Sequence, residues 1–95
     1  MASFVNVGFG NVVNSEKIVS MVSTEAAPVR RLIQNARDEG RAVDATCGRK
    51  TKTAIILESG HVVLSALTTD TITSRCNQME SDASLMKGSK DGKRD

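Results

Sequence analysis

Two aliphatic runs, Thr53–Leu57 (TAIIL) and 62–67 (VVLSAL), are separated only by Glu58-Ser59-Gly60-His61. A short loop with glycine at its tight position, set between two such runs, is a hairpin signal. Both runs are apolar at consecutive positions, the pattern of strands buried on both faces. That is a demanding requirement for a chain of 95 residues. Such a chain forms one domain and buries only about 60–65% of its unfolded surface. With two Phe and no Trp or Tyr, its core has to come from Val, Ile, Leu, Ala and Met. One helix layer can cover one face of the hairpin, and the other face then needs a second subunit. The pattern therefore predicts a homo-oligomer.

The covering helix is the clearest local feature. Pro28 suits a first helical turn, where a missing N–H costs little. Val29, Leu32, Ile33 and Ala36 form one apolar stripe, and Gly40 stands just past the last turn. Upstream, residues 4–7 alternate and read as a strand, Gly8-Phe9-Gly10-Asn11 is a turn or bulge, and 12–16 read as a short connection. Residues 18–22 and 42–46 read as two more strands. Residues 68–79 suit a short second helix, capped by Thr69 or Asp70, with Ile72, Cys76 and Met79 facing inward. The expected fold is α+β: a small, mainly antiparallel β-sheet with one main helix (about 28–39) and a short C-terminal helix. This domain is expected over 1–79. The Ser-, Asp-, Gly- and Lys-rich stretch 80–95 reads as a disordered polar tail.

Several function classes find no support. The opening MASFVNVGFGNVV has neither a basic n-region nor a long apolar stretch, so it does not read as a secretory signal. No window is apolar for long enough to span a membrane. Cys47 and Cys76 lie far apart and outside any CxxC spacing, which points to reduced thiols and a cytoplasmic protein. The one histidine, His61, sits in the hairpin loop, where it reads as a polar loop residue without a second ligand at metal spacing. No GxSxG is present. Gly8-Phe9-Gly10 lacks the third glycine of a dinucleotide loop, Val13 standing in its place. The expectation is a non-enzyme with no cofactor, metal or small-molecule substrate.

The basic residues are more informative. Whole-chain charge is only +2, from thirteen basic and eleven acidic side chains. Between Gly40 and Thr53, however, Arg41, Arg49, Lys50 and Lys52 face one acid, Asp44. A cluster of this kind on a turn neutralises phosphates and releases counterions, and an arginine can also enter a groove. On the helix, Arg31, Asp38 and Glu39 fit an ordinary solvated face. Two other classes remain open from the residues alone. One is an RNA-binding module, disfavoured because Phe4 and Phe9 are the only rings for stacking. The other is a structural oligomer or adaptor whose basic turn meets another subunit's acids.

The stretches FVNVGFGNVV, IVSMVSTEAAPVRRLIQNARDEG and VDATCGRKTKTAIILESGHVVLSAL together resemble the RemA family of bacterial extracellular-matrix regulatory proteins. The resemblance runs from Phe4 to Leu67, about two-thirds of the chain. It implies a DNA-binding transcriptional regulator that promotes biofilm-matrix genes. It also implies a LytTR-like DNA-binding part and a ring-shaped homo-oligomer, an octamer or heptamer, that engages double-stranded DNA along a basic rim at the nucleoid. The family's basic positions fall on Lys17, where an arginine is usual, and on a DATYGRRTR-like stretch that here reads DATCGRKTK. Arg49 matches directly, Lys50 and Lys52 stand for arginines, and Cys47 stands for a tyrosine. Pro28 matches as well, and starting the helix is sufficient reason for it. The candidate DNA-contacting set is Lys17, Arg49, Lys50 and Lys52, with Arg30 and Arg31 from the helix. Lysine keeps the charge but loses the bidentate fork, so phosphate contacts survive better than base recognition. Lys17 and the basic turn are expected to converge between neighbouring subunits.

Overall fold

The predicted hairpin forms, and its two strands are covered by a layer on each face. The computed structural model describes residues 3–86, with side chains described as far as Gln78. Strands β5 (Thr53–Leu57) and β6 (Val62–Ser65) pair antiparallel at the centre of a four-stranded sheet. Strand β3 (Ile18–Ser23) runs antiparallel on the outer side of β5. Strand β4 (Ala42–Asp44) runs parallel on the outer side of β6. The order is β3-β5-β6-β4, so β3 and β4 are the two edges. They are joined by helix α1 (Ala27–Asp38), which crosses one face of the sheet. That crossover explains the parallel strand, since only a long connection brings the chain back in the same direction.

Side chains alternate between faces along a strand, so Ala54 and Ile55 pack in opposite layers. On the α1 side, Ala54, Val62 and Leu64 pack with Ala36, Val29 and Ile33. On the other side, Ile55, Val63 and Ala45 pack with Val5, Val7 and Ile72. Val5 and Val7 come from strand β1 (Phe4–Gly8), which pairs with β2 (Asn11–Asn14) in a separate two-stranded hairpin. Ile72 comes from helix α2 (Thr69–Met86). The hairpin and α2 are locked on by polar bonds. Buried Ser65 donates its hydroxyl to the Val7 carbonyl at 2.7 Å, and Arg75 donates to the Asn6 carbonyl at 2.8 Å.

This second layer corrects the central sequence argument for an oligomer. Both faces of β5 and β6 are buried, but by the chain's own hairpin and second helix rather than by a second subunit. The connection expected over 12–16 holds strand β2 instead, because Val13 and Val12 pair with Val5 and Asn6. Leu32, placed in the apolar stripe, is 36% exposed, and the sheet-facing residues of α1 are Val29, Ile33 and Ala36. The α2 cap is Thr68, one residue earlier than expected: its hydroxyl accepts the Thr71 N–H at 3.2 Å. The boundary drawn at 79/80 falls inside α2, and residues 87–95 of the expected tail lie outside the described residues.

Candidate nucleic-acid interface

The β4–β5 loop starts from a carboxylate. Asp44 accepts the Thr46 hydroxyl at 2.6 Å and the Thr46 N–H at 2.9 Å, which turns the chain out of the sheet. These two bonds, the hydroxyl one foremost, hold the Asp44 carboxyl below its ordinary pKa. A depressed carboxyl stabilises the fold above its unfolded pKa, near 4, and that contribution is lost as pH falls through the lower folded value. Asp44→Asn is therefore expected to lower stability near neutrality and to flatten the acid limb of the stability–pH curve below about pH 4, so that variant and wild type converge in acid; urea titrations across that range check it.

After Thr46 comes a tight turn, closed by the Arg49 N–H donating to the Thr46 carbonyl at 3.0 Å. Its central residues, Cys47 and Gly48, have φ of +55° and +81°, the signs of a type I′ turn. The loop is then tied to the sheet at both sides. Lys52 N–H donates to the Ser65 carbonyl at 2.8 Å, and the Thr24 hydroxyl donates to the Thr51 carbonyl at 2.8 Å. Arg49, Lys50 and Lys52 are thus exposed on a backbone that is itself fixed. The Arg49 guanidinium lies 5.4 Å from the centroid of the Phe9 ring, at the tip of the β1–β2 hairpin.

Lys50 and Lys52 line a polar cleft of about 440 Å³ between the end of β3 and the start of α2, with Thr24, Thr68 and the acids Glu25 and Asp70. Arg30 sits at the same end, donating to the Thr24 and Glu25 carbonyls at 3.2 and 3.3 Å. Two of its donors close the β3–α1 connection, while its charge stays beside the loop. Arg31 is exposed on α1, and neither helix arginine lines the cleft.

Lys17 lies elsewhere. It pairs with Glu58 at 3.2 Å, beside the β5–β6 turn. Ile18 registers with Leu57 and Ser23 with Thr53, so the length of β3, about 20 Å, separates Lys17 from the basic loop. Arg41 is also at that far end, paired with Glu39 at 2.7 Å and bonded to the Gly60 carbonyl. The local excess of charge read along 40–53 therefore narrows to Arg49, Lys50 and Lys52, joined by Arg30. Sequence reading passed over Phe9, Thr24 and Thr68. The signal for Phe9 was a bulky residue between two glycines in a turn; no signal tied it to Arg49. His61 is bonded to Ser59 at 2.8 Å through Nδ1, and among the described residues Cys47 and Cys76 form no disulfide. Among the described residues there is no group of side chains able to hold a metal, and no helix long and apolar enough to cross a membrane.

Comparison with known proteins decides the family. The profile of RemA-like proteins, described as extracellular matrix regulatory protein A-like, matches residues 4–76. The chain belongs to the RemA-like family. A provisionally named regulatory protein of Lachnoclostridium phytofermentans is 57% identical over 81 residues, covering 85% of this chain and 89% of that one. Similarly named relatives in Carboxydothermus hydrogenoformans and Brevibacillus brevis are 49% and 47% identical, covering 81% and 83% of this chain and 88% and 92% of their own. Family and relatives alike are described as regulatory. The RemA-like match runs from β1 into α2 and includes the whole basic cluster together with Phe9 and Lys17.

Proposed function

We propose that this RemA-like protein is a DNA-binding transcriptional regulator that acts as a ring-shaped homo-oligomer on extracellular-matrix genes, in the cytoplasm at the nucleoid. The observation that carries the reading is the gathering of Arg49, Lys50 and Lys52 on one bonded loop, with Arg30 beside it. Such a cluster neutralises backbone phosphates, and three or four charges alone bind weakly. Repetition around a ring multiplies them, and a duplex that touches several copies is held by avidity.

The support for assembly differs from the one the sequence offered. Both sheet edges are open, and each carries an exposed valine: Val19 at 65% on a β3 bulge and Val43 at 48% on β4. Beside β4 lies a groove of about 610 Å³ lined by Val12, Val13, Val43 and Leu57 together with Lys17 and Glu58. Two unlike edges suit a head-to-tail contact, which closes into a ring when the rotation allows. In that arrangement the Lys17–Glu58 pair of one copy comes beside the basic loop of the next, and the likeness to LytTR-type domains belongs to the same reading. Lysines at 17, 50 and 52 favour phosphate contacts over forked base recognition.

The test is fluorescence anisotropy of the purified chain on labelled duplex DNA over a salt series, with mass in solution recorded alongside. The reading expects a multimer and a log-affinity that falls against log-salt with a slope steeper than about −3, since each neutralised phosphate contributes about −0.9. An intact multimer with no duplex affinity at low salt rejects DNA binding and favours the adaptor.

A further inference from the structure

The tip of the β1–β2 hairpin is the two-residue turn Phe9-Gly10, with φ of +53° and +79°. Both values are positive, as a type I′ turn requires, and the first position favours Asn, Asp or Gly. A phenylalanine there is a genuine conformational outlier. Burial does not offset the strain, because Phe9 is 51% exposed. The ring instead faces the Arg49 guanidinium, which arrives from the second tight turn, where Cys47 also has positive φ. Two strained turns from distant parts of the chain thus set an aromatic face and a guanidinium together at the surface, next to Lys50 and Lys52. Strain of this kind collects at functional sites.

The geometry has a chemical consequence. A guanidinium held over an aromatic ring by cation–π attraction keeps its N–H donors for hydrogen bonds. An arginine held in this way also has less side-chain freedom to lose when it binds. We infer, resting on the DNA-binding reading above, that Phe9 is a duplex-contacting residue: it holds Arg49 ready for a groove and lays its own exposed edge on the adjoining sugar or base step. Phe9 and Arg49 then sense groove shape, while Lys50 and Lys52 hold phosphates. A narrow A-tract minor groove is the surface that attracts an arginine presented in this way.

Phe9→Asn tests this without threatening the fold, because Asn-Gly is the sequence a type I′ turn prefers. Two labelled duplexes serve as probes, one with a central A-tract and one of G·C pairs. The variant is expected to keep wild-type Tm or exceed it and to keep the wild-type mass. Its affinity for the A-tract duplex should fall about tenfold, more than for the G·C duplex, the loss of one aromatic contact being of that order. Its salt slope should not change, since no charge is removed, and Phe9→Tyr should bind as wild type does. Lys50→Ala, by contrast, should weaken both duplexes alike and make the slope shallower. Wild-type binding to both duplexes with Phe9→Asn within twofold on each overturns the inference and leaves the DNA reading standing. A Phe9→Asn protein of smaller mass overturns it too, by making Phe9 a contact between copies. Absence of wild-type binding rejects the DNA reading itself, and the inference with it.

Discussion

Replacing Arg49 and Lys50 together by alanine is expected to lower duplex affinity about a hundredfold at moderate salt and to leave folding unaltered. Each charge-assisted contact to nucleic acid contributes roughly 1–3 kcal/mol, and every 1.4 kcal/mol is tenfold in affinity. Folding is spared because neither side chain is in the core: both residues are exposed, Arg49 lies over the exposed Phe9 ring, and Lys50 lines an open cleft. The turn itself is closed by backbone bonds from Arg49 and Lys52, which alanine keeps. Anisotropy over a salt series measures the loss, and circular dichroism with mass in solution checks the fold and the assembly. A double variant that binds duplex as the wild type does removes this loop from the interface. One that loses mass as well as affinity makes the loop a contact between copies, as an adaptor would have it.

Ile55→Ala is the substitution expected to cost most stability, about 3–4 kcal/mol. Ile55 is fully buried at the middle of β5 and packs against Val5, Val7 and Ile72. Truncation leaves a cavity between the sheet and its second cover, where packed neighbours on β1 and α2 limit collapse. A domain of this size holds roughly 5–10 kcal/mol in all, so the variant should unfold at a markedly lower urea concentration. The same hairpin layer carries Phe9 at its tip, so a loosened β1–β2 unit should also weaken duplex binding even though Ile55 touches no candidate site residue. Unfolding in urea that matches the wild type within about 0.5 kcal/mol would show that the hairpin and α2 contribute little to the core.

Both outcomes bear on a distinction that runs through the molecule. Features set by neighbours in sequence were legible in it. The β5–β6 hairpin announced itself through two aliphatic runs and a glycine-bearing loop. Helix α1, expected at about 28–39 and found at Ala27–Asp38, was bounded by Pro28 and Gly40. The basic loop was visible as four cations against one acid, and the α+β class followed from the alternation of these elements.

Features set by contacts between distant segments were not legible. Strand β2 is short and flanked by asparagines, and only its pairing with β1 makes it a strand. Period and composition showed that β5 and β6 are buried on both faces, but a pattern of burial carries no label for what does the burying. The hairpin and α2 fill that role through Val5 and Val7, far from the central hairpin in sequence, and through Ile72, which the helical pattern had already turned inward. The candidate interface divides in the same way. Which residues carry positive charge was determined by the sequence alone. That Arg41 and Lys17 turn away to pair with Glu39 and Glu58, while Arg49 meets Phe9 across roughly forty residues of chain, was decided by the tertiary structure. Charge and periodicity are properties of single residues and their near neighbours, whereas the surface that a ligand meets exists only once strand register has brought distant turns to the same end of the sheet.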